Sequence, residues 1–555
     1  MPGALKCAAQ AAQVKPRTGR GSWRVLESDR QIATLARVMR SISNGGGGEN
    51  GVLDRRAFLT GLGGAGLALA AGCGTSATQT TARRVNAALA RRAPHTLQEA
   101  IRGHVFYPGQ PGFVSAAHVY NPRFDGVLPT ALARPVDSVD VRDAIRFTVS
   151  HDTPVRARSG GHSYAGYSTL SNGAVLDLRK LNAINVDKRA GTATVGAGAQ
   201  LIDIYAGLAN AGATLPAGSC PSVGVSGVTL GGGFGLAGRY FGLTADNLLA
   251  VKIVTADGQL NTVNARTDPD LLWALKGGGG GNFGVVTEFT FRIHPLPASA
   301  AYFNVRWPWS SANEAIAAWQ AWAPHTTDKI TSILHLNTGP SINANGQYLG
   351  SASALRSLLG PLLSVRGATL SSAFNLSYVP LQLLLAGCYG KSVAACHTVG
   401  AGPGGTLPRN VFNAKSDYVA KPLSSAGRAA MIAATEASGA GALLCDCYGG
   451  AVNRVAPTAT AFVHRDQLFC IQYYGAGSTA AWINQAWSKM RPYVSGQAYQ
   501  NYIDPSLKDW PKAYYGQNLG RLEEIRERVD PDHYFNFPQA IGRGPQRVAP
   551  RSGRG

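Results

Sequence analysis

His162 and Cys220 are the two residues of this 555-residue chain whose type and setting say most about chemistry. His162 lies in Arg158-Ser159-Gly160-Gly161-His162-Ser163-Tyr164. Cys220 lies in Pro216-Ala217-Gly218-Ser219-Cys220-Pro221-Ser222-Val223-Gly224-Val225. A ring nitrogen and a thiolate are the side-chain nucleophiles best suited to bond a flavin ring at two separate carbons. Both sit in glycine-rich loops, where missing side chains let a pyrophosphate approach backbone N–H groups. The pair therefore points to an FAD joined to its protein twice.

The elements that must position these residues can be read from the flanking sequence. Residues 153–158 read as a strand that stops at Gly160 and Gly161, a usual place for phosphate capture. After Cys220, the run 224–236 carries too many glycines for a helix or an ordinary strand. A third run, Gly277-Gly278-Gly279-Gly280-Gly281-Asn282-Phe283-Gly284, leads into a strand over 285–291. One such run alone would read as a linker. Three, each beside a strand, make a binding site instead. Gly233-Phe234-Gly235-Leu236-Ala237-Gly238 also fits the dinucleotide GxGxxG pattern, and Asp257 comes after the strand 249–255. A nicotinamide site needs a helix opening at those glycines, and Gly242 interrupts the aromatic stretch 239–244 where that helix would run.

Taken in order, the segments 158–164, 218–235, 282–288, Tyr448-Gly449-Gly450, His464-Arg465, Asn501-Tyr502-Ile503-Asp504 and Tyr534-Phe535-Asn536-Phe537-Pro538-Gln539 resemble the berberine-bridge-enzyme-like branch of the vanillyl-alcohol-oxidase (PCMH-type) flavoproteins. The resemblance covers residues 98–541. It implies an α+β fold of two lobes, a PCMH-type FAD-binding domain and a substrate domain of antiparallel sheet covered by helices. It implies FAD bonded through its 8α carbon to His162 and through C6 to Cys220. Arg158, Ser159, Gly160, Gly161, Ser163, Gly218, Val223, Gly224, Gly227, Gly232, Gly235, Leu236, Asn282, Gly284, Val285, Val286, Tyr534 and Asn536 are the cofactor-binding residues it implies. It gives Tyr502 the catalytic role.

The reaction expected of such a site is hydride transfer from a substrate carbon to the flavin while a base takes the proton of the adjacent hydroxyl. Tyr502 is the candidate base. A phenol has a pKa near 10, so nearby positive charge or hydrogen bonding must depress it. Cys470, Gln472 and Tyr474 share one strand face by alternation, and Cys470 and Gln472 are candidate pocket residues. The substrate is a hydroxyl-bearing small molecule, a sugar, an oligosaccharide or a secondary metabolite, with molecular oxygen or another acceptor taking the electrons. The contrasting reading is a flavin-loaded surface protein without turnover.

Composition agrees with a globular enzyme: hydrophobic residues make up 45% and charged residues 15%. A net charge of +21 would suit nucleic acid, but its placement does not. Residues 1–97 hold 14 Lys and Arg against 4 acids, and residues 542–555 add four arginines with no acid. Residues 98–541 carry 34 against 27, without a basic stripe interleaved with aromatics. No nucleic-acid partner is expected. Asp54-Arg55-Arg56-Ala57-Phe58-Leu59 is a twin-arginine pattern, and the apolar stretch 58–72 is too short to span a bilayer. The chain thus reads as exported, with Met39 an alternative start. Ala70-Ala71-Gly72-Cys73 resembles a lipoprotein box; either Cys73 is lipidated and anchors the enzyme to a membrane, or cleavage releases it. Metal binding is not expected, since no Cys or His spacing suits zinc. Cys388 and Cys396 could form a small disulfide.

The layout expected is a leader and tether over 1–97, an FAD-binding domain over 98–297, a substrate-binding domain over 298–496, a returning segment over 497–541 and a disordered basic tail over 542–555. Residues 98–130 read as irregular. Helices are expected at 139–150, 199–211, 311–322, 480–490 and 518–528, and strands at 302–307, 330–337 and 468–474.

Overall fold

The computed structural model describes residues 94–400, 404–436, 441–477 and 479–542. Arg55, Arg56, Cys73 and the basic tail lie outside them. No helix among the described residues is long and apolar enough to cross a membrane.

The fold is α+β. Its first sheet has four strands, β1 (His104–Phe106), β2 (Ala131–Arg134), β3 (Val155–Arg158) and β4 (Ala174–Asp177), in the order β1-β2-β4-β3. Strands β2, β4 and β3 run parallel, and β1 is antiparallel to β2. It is covered on both faces: all four residues of β4 are buried, Ala174 and Leu176 in one apolar cluster and Val175 in another. A second, antiparallel sheet joins β5 (Ile184–Asp187), β6 (Thr192–Gly196), β8 (Leu248–Val254), β9 (Leu260–Asn264) and β10 (Val285–Arg292) in the order β5-β6-β10-β8-β9. A short ladder pairs β7 (Ala213–Thr214) with β11 (His294–Pro295).

The third sheet is antiparallel and seven-stranded. It contains β12 (Ala300–Trp307), β13 (Ile330–Asn337), β14 (Ser341–Tyr348), β15 (Thr369–Leu376), β16 (Phe412–Val419), β17 (Gly441–Cys447) and β18 (Phe469–Ala476), ordered β15-β12-β14-β13-β17-β18-β16. Alternation divides its faces. Leu443, Cys445 and Cys447 of β17 and Phe469, Ile471 and Tyr473 of β18 face a core shared with the helices Ala312–Trp322, Ser425–Glu436 and Ala480–Met490. The intervening Leu444, Asp446 and Gln472 look the other way, into a cavity.

Two local expectations differ from the structure. The glycine-rich run 224–236 opens with a helix, Val225–Leu230. One interior glycine costs a helix about 1 kcal/mol. Burying side chains such as Val225 and Leu230 contributes roughly 1.5–3 kcal/mol each and outweighs that cost. The stretch 98–130 is not wholly irregular either: it carries the end of the helix Leu97–Ala100, then β1, then the helix Phe113–Ala117. Thr96 caps the first by accepting from the Glu99 N–H, a cap signal legible in the sequence. At the GxGxxG decoy only one turn forms, Gly238–Phe241, and Gly242 ends it at φ 84°.

Candidate active site

Two loops build the floor of the cavity. The first leaves the end of β3, and the second comes after β7. They cross so closely that side chains are excluded. A Cβ on Gly160 would lie 2.3 Å from the Gly224 nitrogen, and one on Gly224 would lie 2.0 Å from Ser159 Oγ. The crossing brings His162 Nε2 to 2.9 Å from Ser222 Oγ, so both candidate attachment residues face one space. Burial lowers the His162 pKa to about 3, leaving a neutral, nucleophilic ring at physiological pH. The Tyr120 ring stacks on it at 3.9 Å.

The opposite wall comes from the seven-stranded sheet and from the turn Gln500–Tyr502. The Tyr502 hydroxyl donates to Asp446 Oδ2 at 2.9 Å. The Tyr502 ring stacks on Tyr164, 5.5 Å between centroids and 8° from parallel. Gln472 Nε2 donates to the Tyr164 hydroxyl at 2.8 Å. The turn is held on every side. The Tyr499 N–H donates to Ser416 Oγ, Gln500 Nε2 to the Gly277 carbonyl, and Asn501 Nδ2 to the Val228 carbonyl. Beyond it, Lys415 and Asp504 form a buried ion pair at 2.6 Å.

Electrostatics distinguish the two groups of the Tyr502–Asp446 pair. Burial raises the Asp446 carboxyl to about 7, against the opposing hydrogen bond from Tyr502. Burial, with Asp446 and Tyr164 close by, pushes the Tyr502 phenol well above its ordinary value. The sequence expectation asked for positive charge or hydrogen bonding to depress this phenol; the hydrogen bond is present, and burial acts in the opposite direction. The one cation among the residues lining the cavity is Arg156, and the partner of Tyr502 is a carboxyl.

Two family models match the chain: an FAD binding domain over residues 129–264, and a berberine and berberine-like segment over 498–542. An uncharacterised FAD-linked oxidoreductase of Bacillus subtilis, YvdP, is 34% identical over 462 residues, which cover 80% of this chain and 98% of that one. The chain belongs to the berberine-bridge-enzyme-like FAD-linked oxidoreductases. Among solved structures, Physcomitrella patens BBE-like 1 is 34% identical with a TM-score of 0.75, covering 80% of this chain and 99% of that one. A chitooligosaccharide oxidase is 26% identical with a TM-score of 0.73, over 80% and 98%.

The glycine loops that line the cavity suit the FAD of this oxidoreductase family, because they leave backbone N–H groups open to a pyrophosphate. Much of the cavity's lining is glycine, and at Gly227 and Gly280 a Cβ would stand in open space or touch only distant atoms. Most sequence-predicted site residues line it: His162, Cys220, Tyr502 and Gln472, with Ser159, Gly160, Gly161, Ser163, Gly218, Val223, Gly224, Gly227, Gly235, Leu236, Gly284, Val285, Val286 and Asn536.

Five predicted residues do not line this cavity. Arg158 is buried, donating to the Ala116 and Ala117 carbonyls and to Asp177. Gly232 packs against Phe462 at φ 113°. Asn282 is buried, donating to the Gly278 carbonyl and accepting from Arg526 and the Ile541 N–H. The Tyr534 hydroxyl lies within hydrogen-bond reach of Thr148 Oγ1 and the Thr153 carbonyl, and its ring lines a separate cleft. Cys470 is buried in an aromatic cluster with Tyr418, Tyr448 and Tyr499.

Asp446 is the candidate site residue that sequence reasoning missed. It pairs across the ladder with Cys470, one strand away from the face that alternation assigns to the pocket. Its signal is present in the sequence: an acid inside the otherwise uncharged run Gly441–Cys447. Tyr164 stands inside the His162 motif, but nothing in that motif assigns it a role.

Proposed function

We propose that this enzyme oxidises a hydroxyl group of a small molecule, with FAD bonded to His162 and Cys220 and with molecular oxygen taking the electrons. One observation carries the reading: both nucleophiles and the hydrogen-bonded Tyr502–Asp446 pair face the same cavity. Bound FAD supplies the hydride acceptor. The protein supplies everything that handles the proton. A carboxyl whose pKa lies near 7 is matched to proton abstraction at neutral pH. Tyr502 presents its hydroxyl to the substrate oxygen and passes a proton to Asp446 Oδ2, so its phenol never carries a lasting charge. Gln472, through Tyr164, keeps the stacked pair of rings in place. Sugars, oligosaccharides and secondary metabolites remain the substrate classes, and the chitooligosaccharide oxidase likeness favours the first two.

The test is a panel of sugars and alcohols added anaerobically to purified enzyme while flavin absorbance is followed. At least one should bleach the flavin, and air should restore the colour. Bleaching by none across the panel overturns the reading. Bleaching that a quinone-type acceptor reverses and air does not would replace oxygen as the acceptor.

A further inference from the structure

Both candidate attachment residues are held from behind by two stretches, residues 388–400 and 404–412, that the proposed chemistry does not use. The first is cross-linked by the Cys388–Cys396 disulfide, the bridge left open by the sequence. The bridge is buried against Ile202 in a small apolar cluster with Leu383 and Ala386. Next to it, His397 Nε2 lies 2.9 Å from Asp203 Oδ2. Ile202 and Asp203 stand in the first turn of the helix Leu201–Asn210.

That helix grips the Cys220 loop on both sides. The Leu201 N–H donates to the Val223 carbonyl at 3.0 Å, and the Ile202 N–H donates to the Pro221 carbonyl at 3.1 Å. The Tyr205 hydroxyl lies within hydrogen-bond reach of the Ala217 and Gly218 carbonyls, at 2.5 and 3.0 Å. The second stretch reaches the other attachment residue. Asn410 Nδ2 donates to the Tyr120 hydroxyl at 3.0 Å, and Tyr120 stacks on His162. Arg409 donates to the Val119 carbonyl and pairs with Asp125. Asn121 Nδ2 returns a bond to the Phe412 carbonyl.

We infer that the stretches 388–400 and 404–412 act as a cross-linked strap that positions Cys220 through its disulfide end and His162 through Asn410 and Tyr120. The strap touches neither reacting atom, so its residues act as positioning residues. Each end should control one bond. This inference rests on the doubly bonded FAD proposed above.

The experiment uses full-length enzyme purified with its flavin and compares wild type, C388A/C396A and N410L. Flavin occupancy at Cys220 and at His162 is read by peptide mass, alongside total flavin and thermal stability. The disulfide variant should lose several-fold occupancy at Cys220 and keep His162, while N410L should do the reverse. Equal losses at both residues in either variant mean general destabilisation and overturn the strap. Occupancies matching wild type do the same. Hydrogen exchange over residues 199–224 supplies an arm independent of the flavin. Leu201 and Ile202 amides should exchange faster in C388A/C396A, and unchanged protection there overturns the inference. Should that variant fail to fold, H397N keeps the bridge and must show the same direction of change. Wild-type enzyme with no flavin bond at either residue would defeat the proposed function rather than the strap.

Discussion

At the scale of single residues, the acid–base chemistry proposed for this enzyme runs through the Tyr502–Asp446 hydrogen bond. Its pH dependence has a definite sign. The base form of Asp446 exists above its pKa of about 7, so flavin reduction should climb as pH rises through 7 and level off beyond it. D446N should slow reduction by about 10²–10⁴-fold and flatten that limb. Y502F removes the relay but leaves the carboxyl, so it should slow reduction while keeping pH dependence; a flat profile in Y502F would place the titrating group on the phenol. Attachment makes a second prediction. H162A and C220A should each precipitate in acid as yellow protein, and only the double variant should give a colourless pellet and yellow supernatant. Arg158, expected at the cofactor, instead shares the buried Asp177 with Arg134 and Arg179. Burial alone would raise the Asp177 carboxyl, but the arginines hold it below its usual range. R158M should therefore cost about 3 kcal/mol of stability in chemical denaturation and leave bound flavin in its native spectrum.

At the scale of elements, the sequence is legible wherever one period dominates. The helix 480–490 and the strand 330–337 have in the structure the bounds that their periodicity gives them. The helices expected at 139–150 and 518–528 each differ by a single residue at one end or both. Legibility fails where tertiary packing chooses the outcome. Nothing local tells that the glycine-rich run after Cys220 forms a helix, because the gain lies in a core assembled from distant segments. Likewise alternation in β18 alone gives a pocket face, but the acid comes from its neighbour β17, a register that only strand pairing fixes. The contact between Gly231 and the Gln500–Tyr502 turn is another such long-range fact. A Cβ at Gly231 would lie 2.0 Å from Asn501 Oδ1. G231A should push that turn, slowing flavin reduction by at least tenfold in stopped flow at a stability cost of about 1–3 kcal/mol. A rate matching wild type would mean that the turn yields without moving Tyr502.

At the scale of the whole molecule, positive charge is concentrated at the two ends of the chain, outside the described residues. We propose that the leader is a twin-arginine export signal. Changing Arg55 and Arg56 to Lys should leave active enzyme in the cytoplasmic fraction, and unchanged recovery outside would contradict this. Cys73→Ala should then move any membrane-bound fraction into solution. The order of walls around the cavity has a consequence for how the enzyme is made. His162 and Cys220 are synthesised in the first half of the chain, but Tyr499, Tyr502 and Phe537 of the facing wall lie in its last 60 residues. On a translating ribosome both nucleophiles therefore emerge long before the cavity can close. The flavin site of this protein is completed only once residues 499–537 have joined the fold, and a chain cut short near residue 496 would keep both anchoring residues and lack the wall that faces them.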